Sequence, residues 1–350
     1  MRIALPPTLA PDAFAGHDPA AVVIALDGET MGTTWQVRYA ARDASRAAAV
    51  RTAIVSRLAG LVAEMSHWSA SSLLSRFNRA AAGTWVRLPR DFDHVIARGM
   101  AIAQQTGGAF DPTIGALVNL WGFGPPATSD RYPHPSALRT HSLSRWQREM
   151  TPNVGKGARD GPIEATRSVS GHYRLACHRR DRLLRQPGGL SLDLSGIAKG
   201  HAVDAIVDLL AAQGIAHCLV EIGGELVGRG LRPDGDPWWV DLEAPPGVML
   251  PPLRIALHGL AVATSGDYRR GAHTIDPRTG YPIDHGVVSC SVIHARALDA
   301  DAWATALTVL GVTDGVALAT RAEIAARWVV VDDGVATEHL SPALLAMLTG

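Results

Sequence analysis

Two hydrophobic periods alternate along the chain, and the switches between them outline its elements. In residues 33–39, Trp35, Val37 and Tyr39 alternate with polar neighbours, the signature of a strand with one buried face. Order is expected to begin here, at Met31-Gly32-Thr33-Thr34-Trp35, with residues 1–29 forming a flexible arm. Residues 45–64 then place Val50, Ile54, Leu58, Leu61 and Val62 on one helical face. A polar run at 71–78 predicts a short helix or a loop, and residues 84–88 predict a further strand. Phe92, Val95, Ile96 and Met100 mark a helix that Gly107-Gly108 should stop. Two glycine-punctuated turns follow, at 109–115 and 117–124. From 125 to 189 the periodicity fades except for a strand near 173–177, which predicts an insertion or a long connection.

The pattern returns at Leu192-Asp193-Leu194-Ser195-Gly196-Ile197-Ala198-Lys199-Gly200. Val203, Ile206, Val207 and Leu210 then repeat as a buried helix face, which places His201, Asp204 and Asp208 on the other side. That helix should stop at Gly214. Further strands are expected at 218–222, 238–242, 255–257 and 261–265, and a last alternation runs through Val288, Cys290, Val292 and His294. A helix opening at Asp301 should end at Gly311, and an apolar strand at 328–331 precedes a helix capped by Ser341 with Pro342 in its first position. Short strands joined by tight turns imply a largely antiparallel sheet.

Composition narrows the possible functions. The 350 residues are 47% hydrophobic and 19% charged, as in a soluble globular protein of one large or two ordinary domains. The 33 basic and 33 acidic side chains cancel, so the overall field gives no reason to expect nucleic acid, and any anion site must be local. Cys177, Cys218 and Cys290 are odd in number and share no metal-type spacing, so free thiols are expected. Pro6, Pro7, Pro11, Asp12, Asp18 and Pro19 interrupt every early apolar run, and no later window gives a membrane-spanning segment of about twenty apolar residues. A cytoplasmic location is the expectation, or a periplasmic one if the true start lies upstream.

Several residues could carry chemistry. Ser195 and Gly196 fall at the start of a helix, where unpaired N–H groups favour anions. Lys199, in the first turn, points either to water or to a bound phosphate. Asp301 and Thr305 lie four apart on one helix face. Either Asp301 caps its helix and Thr305 packs, or both act as hard oxygen ligands for Mg²⁺, with a carbonyl of the Ser195-Gly196 turn completing the set. His273, beside a turn set by Pro277 and Gly280, could accept a proton or bind a ligand, although most histidines do neither. Phe110, Trp121 and Phe123 are either a core cluster or a wall for a flat ring. The glycine fingerprints of dinucleotide and P-loop folds, the nucleophile elbow and the zinc-protease helix are absent from the sequence.

Met31-Gly-Thr-Thr-Trp, Ala109-Phe-Asp-Pro-Thr, Trp121-Gly-Phe-Gly, Asp193-Leu-Ser-Gly-Ile-Ala-Lys-Gly, Ile222-Gly-Gly-Glu, Ala263-Thr-Ser-Gly-Asp-Tyr-Arg, His273-Thr-Ile-Asp-Pro-Arg-Thr-Gly and Asp301-Ala-Trp-Ala-Thr-Ala occur in this order. Together they resemble the ApbE family of FAD:protein FMN transferases. The resemblance implies an α+β fold, a mostly antiparallel sheet core with flanking helices in a T-fold-like architecture, and a single transferase domain over residues 30–350. It also implies Mg²⁺-dependent cleavage of FAD, with FMN passing to a Thr or Ser hydroxyl of a target flavoprotein and AMP released. Such targets include redox-complex subunits and proteins of flavin-reductase type. By motif, Met31, Trp68, Ala109, Phe110, Asp111, Asp193, Lys199 and Ile275 would line the FAD site. Gly196, Asp301 and Thr305 would hold the metal, and His273 would contact the reacting phosphate or the incoming hydroxyl. The same site permits two alternatives, an FAD pyrophosphatase giving FMN and AMP or a flavin-binding protein without turnover.

Overall fold

Alternation at residues 33–41 gives what it predicts: in β3 (Thr33–Ala41), Trp35, Val37 and Tyr39 are buried and the polar residues between them are not. The computed structural model describes residues 1–8, 14–125, 156–266, 273–332 and 334–349. Their contacts divide the chain into two units, the first made of Met1–Val62, Ser195–Gly266 and His285–Gly350, the second of Ala63–Leu194 and Asp267–Asp284.

Unit 1 is built on an eight-stranded antiparallel sheet. Its order is β14 (Val335–Leu340), β13 (Ala325–Asp332), β12 (Val287–His294), β11 (Ala261–Gly266), β8 (Glu225–Arg229), β7 (Cys218–Ile222), β3 and β2 (Val22–Thr30). Helices α6 (Ala198–Ala212) and α7 (Ala297–Arg321) pack on each other, and both pack on the sheet. A smaller sheet pairs β1 (Arg2–Ala4) with β10 (Leu253–Leu257) and β15 (Leu348–Thr349), with β9 (Trp238–Asp241) beyond β10. Leu253, Ile255, Leu257 and Trp238 from that sheet share a core with Val262 and Ile293 of the larger one. Helix α1 (Ala47–Met65) buries Val50, Ile54, Leu58 and Leu61, the face its periodicity marks.

Unit 2 contains helices α2 (Leu73–Arg79), α3 (Arg90–Gln105), α4 (Gly115–Leu120) and α5 (Lys156–Val169), and a three-stranded sheet of β4 (Trp85–Arg87), β6 (Leu183–Arg185) and β5 (Ala176–His178). Ser72 caps α2 by accepting a hydrogen bond from Ser75 N.

Four expectations change. Residues 2–4 and 22–29, expected within a flexible arm, pair within sheets as β1 and β2. The turn expected at 117–124 overlaps a helix, Gly115–Leu120. Residues from Lys156 onward form regular elements, while 126–155 lie outside the described residues, as do Asp267, Tyr268 and Arg269 of the Ala263 motif. Finally, α6 is buried on most sides: of the three residues expected opposite its apolar face, His201 and Asp204 are buried and Asp208 is exposed. The reason is a distant partner. Asp204 accepts hydrogen bonds from Ala297 N at 3.1 Å and Leu298 N at 3.0 Å, and so caps α7 from the neighbouring helix.

Gly311 interrupts α7 as expected, with φ of 72°, but the chain resumes a helical course to Arg321. By length and composition α7 could cross a membrane, yet most of it is buried inside the protein, as in a core helix.

Candidate active site

In unit 1 the arrangement begins with two glycines. A Cβ on Gly200 would lie 2.2 Å from the carbonyl oxygen of Ala297 and 2.8 Å from the Asp301 Cβ, so only glycine lets the first turn of α6 rest on α7. This approach brings Gly200 N within 2.9 Å of Asp301 Oδ2, to which it donates. A Cβ on Gly196 would lie 2.7 Å from Thr305 Oγ1, so the turn before the helix runs directly against that hydroxyl. Thr305 donates its proton to the Asp301 carbonyl oxygen at 3.2 Å, and this leaves the hydroxyl lone pairs beside the Gly196 main chain. Gly196 is thus brought to Asp301 and Thr305, which lie more than a hundred positions further along the chain.

Two further charges complete this cluster. Lys199, on the first turn of α6, forms an ion pair with Glu225 Oε1. Glu225 opens β8 after a turn in which Gly223 and Gly224 both have positive φ, at 62° and 101°. Its carboxylate is fully buried, and Oε2 has no hydrogen-bond partner. Burial pushes the Glu225 carboxyl up to about 7, opposed by the Lys199 charge and reinforced by that of Asp301. Burial also raises Asp301, against the opposing effects of Lys199 and the Gly200 N–H. Among the described residues no three or more His, Cys, Asp or Glu side chains gather in a metal-binding group. A cation here would rest on a mixed set of hard oxygens, one carboxylate, one hydroxyl and one main-chain carbonyl, which suits Mg²⁺ better than a softer metal.

Met31 belongs to the same unit. With φ of 51°, and Gly32 at 72°, it forms the two-residue turn between β2 and β3. Such turns favour Asn or Asp at the first position, so a methionine there is held against its own preference.

Unit 2 carries the other residues that the motifs single out. Asn78 clamps the main chain of Leu192, donating to its carbonyl at 2.9 Å and accepting from its N–H at 2.8 Å. The next residue, Asp193, is buried and sits 3.8 Å from His67 Nδ1. The ring of His67 lies against that of Trp68, which is 59% exposed and so free to cover a flat ligand. Asp111 is occupied internally: Oδ1 accepts from Thr113 N and Oγ1, and Oδ2 lies 3.0 Å from His172 N and 3.1 Å from His172 Nδ1. Its side chain fixes a turn, and it also lines a cleft of about 390 Å³ with Gly107, Gly108, Tyr173 and Arg278. Ala109, Phe110 and Ile275 are buried, so what they present to a ligand is shape and main-chain atoms. Trp121 and Phe123 pack on the core of Leu117, Ile163 and Ile275, and Trp121 Nε1 donates to the Gly280 carbonyl at 2.8 Å. His273 is half-buried, with its ring edge-on to Phe123 at 6.4 Å.

Sequence reasoning gave Glu225 no role. A signal was present, because Glu225 has the same strand parity as Val227, which is fully buried, and so had to point inward.

Comparison with known proteins agrees with this arrangement of motifs. The ApbE family profile matches residues 31–328. The chain is 34% identical over 333 residues to the FAD:protein FMN transferase of Haemophilus influenzae, an alignment covering 91% of this chain and 90% of that protein. It is 33% identical over 346 residues to the Vibrio cholerae enzyme of the same name, covering 96% of each. The crystal structure of the apo form of Pseudomonas stutzeri flavinyl transferase ApbE superposes with a TM-score of 0.78 at 34% identity, over 93% of this chain and 96% of that one. An α+β fold with an open antiparallel sheet and flanking helices is common to this chain and those structures. The chain belongs to the ApbE family.

Proposed function

We propose that this protein is a flavin transferase that moves FMN from FAD to a Thr or Ser hydroxyl of a target flavoprotein. The observation that carries the reading is the meeting of Gly196, Thr305 and Asp301 beside Lys199, which concentrates hard oxygen donors and a fixed positive charge at a helix start. In the reaction the acceptor oxygen forms a bond to the FMN-side phosphorus. The bond from that phosphorus to the bridging oxygen breaks, AMP departs with that oxygen, and the hydroxyl proton goes to a base.

The Gly196 carbonyl, the Asp301 carboxylate and the Thr305 hydroxyl would hold Mg²⁺. When bound, the ion neutralises charge on the phosphoryl oxygens of the pyrophosphate. Lys199 adds a second positive charge for the leaving phosphate. In unit 2, exposed Trp68 is the candidate for stacking on the flavin, with Asp193, which follows the Asn78-clamped Leu192, near the adjacent His67. Ala109, Phe110, Asp111 and Ile275 would shape the surface that receives FAD, and Met31 in unit 1 would do the same. His273 is the candidate for accepting the hydroxyl proton. No nucleophile of the chain itself is needed, because the attacking oxygen belongs to the target.

The test incubates the protein with FAD, Mg²⁺ and a flavoprotein subunit carrying a Ser/Thr-Gly-Ala-Thr/Ser acceptor. Flavin fluorescence that stays with the denatured target, with equimolar AMP, is the expected result. Free FMN with no labelled target would replace transfer by hydrolysis, and no AMP with any metal would leave only flavin binding.

A further inference from the structure

By motif Asp111 belongs to the FAD site, yet its carboxylate has little left to offer a ligand. Oδ1 accepts from Thr113 N at 2.8 Å and from Thr113 Oγ1 at 2.6 Å, while Oδ2 lies 3.0 Å from His172 N and 3.1 Å from His172 Nδ1. Four donors fill the roughly four lone-pair sites of a carboxylate. Gly171 N donates to Thr113 Oγ1 at 2.8 Å, which ties the main chain before His172 to the same turn. The imidazole is thus fixed at its backbone and at Nδ1. Because Oδ2 accepts, Nδ1 carries the proton, and Nε2, the ring nitrogen further from Asp111, keeps a lone pair. Nε2 makes no hydrogen bond among the described residues, and the side chain stays 18% exposed.

His172 and Asp111 line one cleft of about 390 Å³ with Gly107, Gly108, Tyr173 and Pro277, all within unit 2. Gly107 and Gly108, with φ of 60° and 81°, present main chain without side chains, and Tyr173, 77% exposed, stands edge-on to the His172 ring at 6.1 Å. A slot with a bare floor, an aromatic wall and one fixed acceptor suits a heteroaromatic ring that carries an N–H on its edge. We infer that His172 is a binding residue for FAD, its Nε2 accepting a hydrogen bond from a ring-edge N–H of the dinucleotide, and that Asp111 is a positioning residue that acts through His172. The inference rests on the reading of this protein as one that binds FAD. Both the adenine amino group and the flavin imide have the required chemistry.

FAD binding without metal, followed by the change in flavin fluorescence, tests this on the full chain without turnover. In His172→Asn the amide nitrogen takes the place of Nδ1 and keeps the bond to Asp111, but nothing stands where Nε2 was. FAD binding should weaken about three- to tenfold, the usual weight of one hydrogen bond. His172→Gln reaches the Nε2 position with an oxygen acceptor and should recover most of that loss. Wild-type affinity in His172→Asn overturns the inference. So do equal losses in the two variants, because the shape of the ring would then matter and its outer nitrogen would not. Nitrogen-15 NMR of the histidine rings gives a reading that depends on no variant's affinity. The ring whose signals vanish in His172→Asn should carry its proton on Nδ1 in the free protein, the tautomer that Asp111 imposes, and its Nε2 signal should move when FAD is added. A ring protonated on Nε2 alone, or an Nε2 signal unmoved by saturating FAD, overturns the inference. FMN and AMP added separately identify the ring in contact: the half that moves the signal carries it, and silence from both overturns the ring-edge contact. Should one variant not unfold cooperatively, the other identifies the signals and the wild-type spectrum decides. If the wild type binds no FAD, the proposed flavin transfer falls together with the inference. If the wild type binds FAD and labels its target while His172→Asn binds FAD equally well, only the inference falls.

Discussion

Gly200→Ala tests the foundation of the unit 1 cluster. The added methyl would sit 2.2 Å from the Ala297 carbonyl oxygen, about 1.2 Å short of the 3.4 Å at which ordinary contact begins. A main-chain oxygen cannot rotate away, so α6 and α7 must separate at their closest point. Overpacking of this kind costs typically about 1–3 kcal/mol, and a backbone clash belongs at the upper end. Alanine regains about 1 kcal/mol of helix propensity over glycine, which leaves a net loss of about 2 kcal/mol. For a unit of about 200 residues this corresponds to a fall in Tm of roughly 4–8 °C. Gly60→Ala is the control. Gly60 lies inside α1, and a Cβ there meets nothing within 4 Å, so the same substitution should raise Tm slightly. Differential scanning calorimetry of the two variants decides the matter, and equal or higher Tm in Gly200→Ala would refute the argument from close crossing.

The raised Glu225 carboxyl makes stability depend on pH. Its usual value is near 4.5 and its folded value about 7, so between these the folded protein keeps a proton that the unfolded chain releases. The associated stability is present below about pH 4.5 and lost as pH rises through 7, with about 3 kcal/mol as its upper bound. Glu225→Gln should therefore flatten the fall in Tm between pH 5 and 8, and an unchanged slope would contradict the assignment. Asp204→Ala removes the cap on α7 and should cost about 2 kcal/mol in chemical denaturation, whereas a loss below about 0.5 kcal/mol would show that the cap contributes little. Burial pushes the Cys218 thiol up to about 12 and raises Cys290 as well, while Cys177 is only half-buried. Ellman's reagent should thus find at most one reactive thiol in the native protein and three in denaturant.

The legible parts of the sequence were those where one face is apolar and the other wet. Trp35, Val37 and Tyr39 announced β3, and Val50, Ile54, Leu58 and Leu61 announced the buried face of α1, because alternation and helical spacing report burial directly. The same logic failed at His201 and Asp204. Polar side chains on a helix buried all round look like a solvent face, and the groups that satisfy Asp204 lie more than ninety positions away. Gly196, Asp301 and Thr305 were legible as a set through motif resemblance, while the spacing of Asp301 and Thr305 alone suited a helix cap better. The structure assigns the capping of α7 to Asp204, which leaves Asp301 for other work. Glu225 was passed over because a carboxylate after two glycines reads as the end of a turn.

Strand order has a consequence for biosynthesis. The β2–β3 hairpin is made early, but β7, its neighbour in the sheet, begins only at Cys218, about 180 residues after β3 ends at Ala41. At about 5–20 residues per second a ribosome needs roughly 10–35 s to cover that distance. Throughout this interval β3 is paired on one side by β2 only, and its other edge, which β7 later takes, is open to other nascent chains. Faster translation of the intervening segment, or a chaperone held at the hairpin, should raise the soluble yield of this protein more than any change made near the C-terminus.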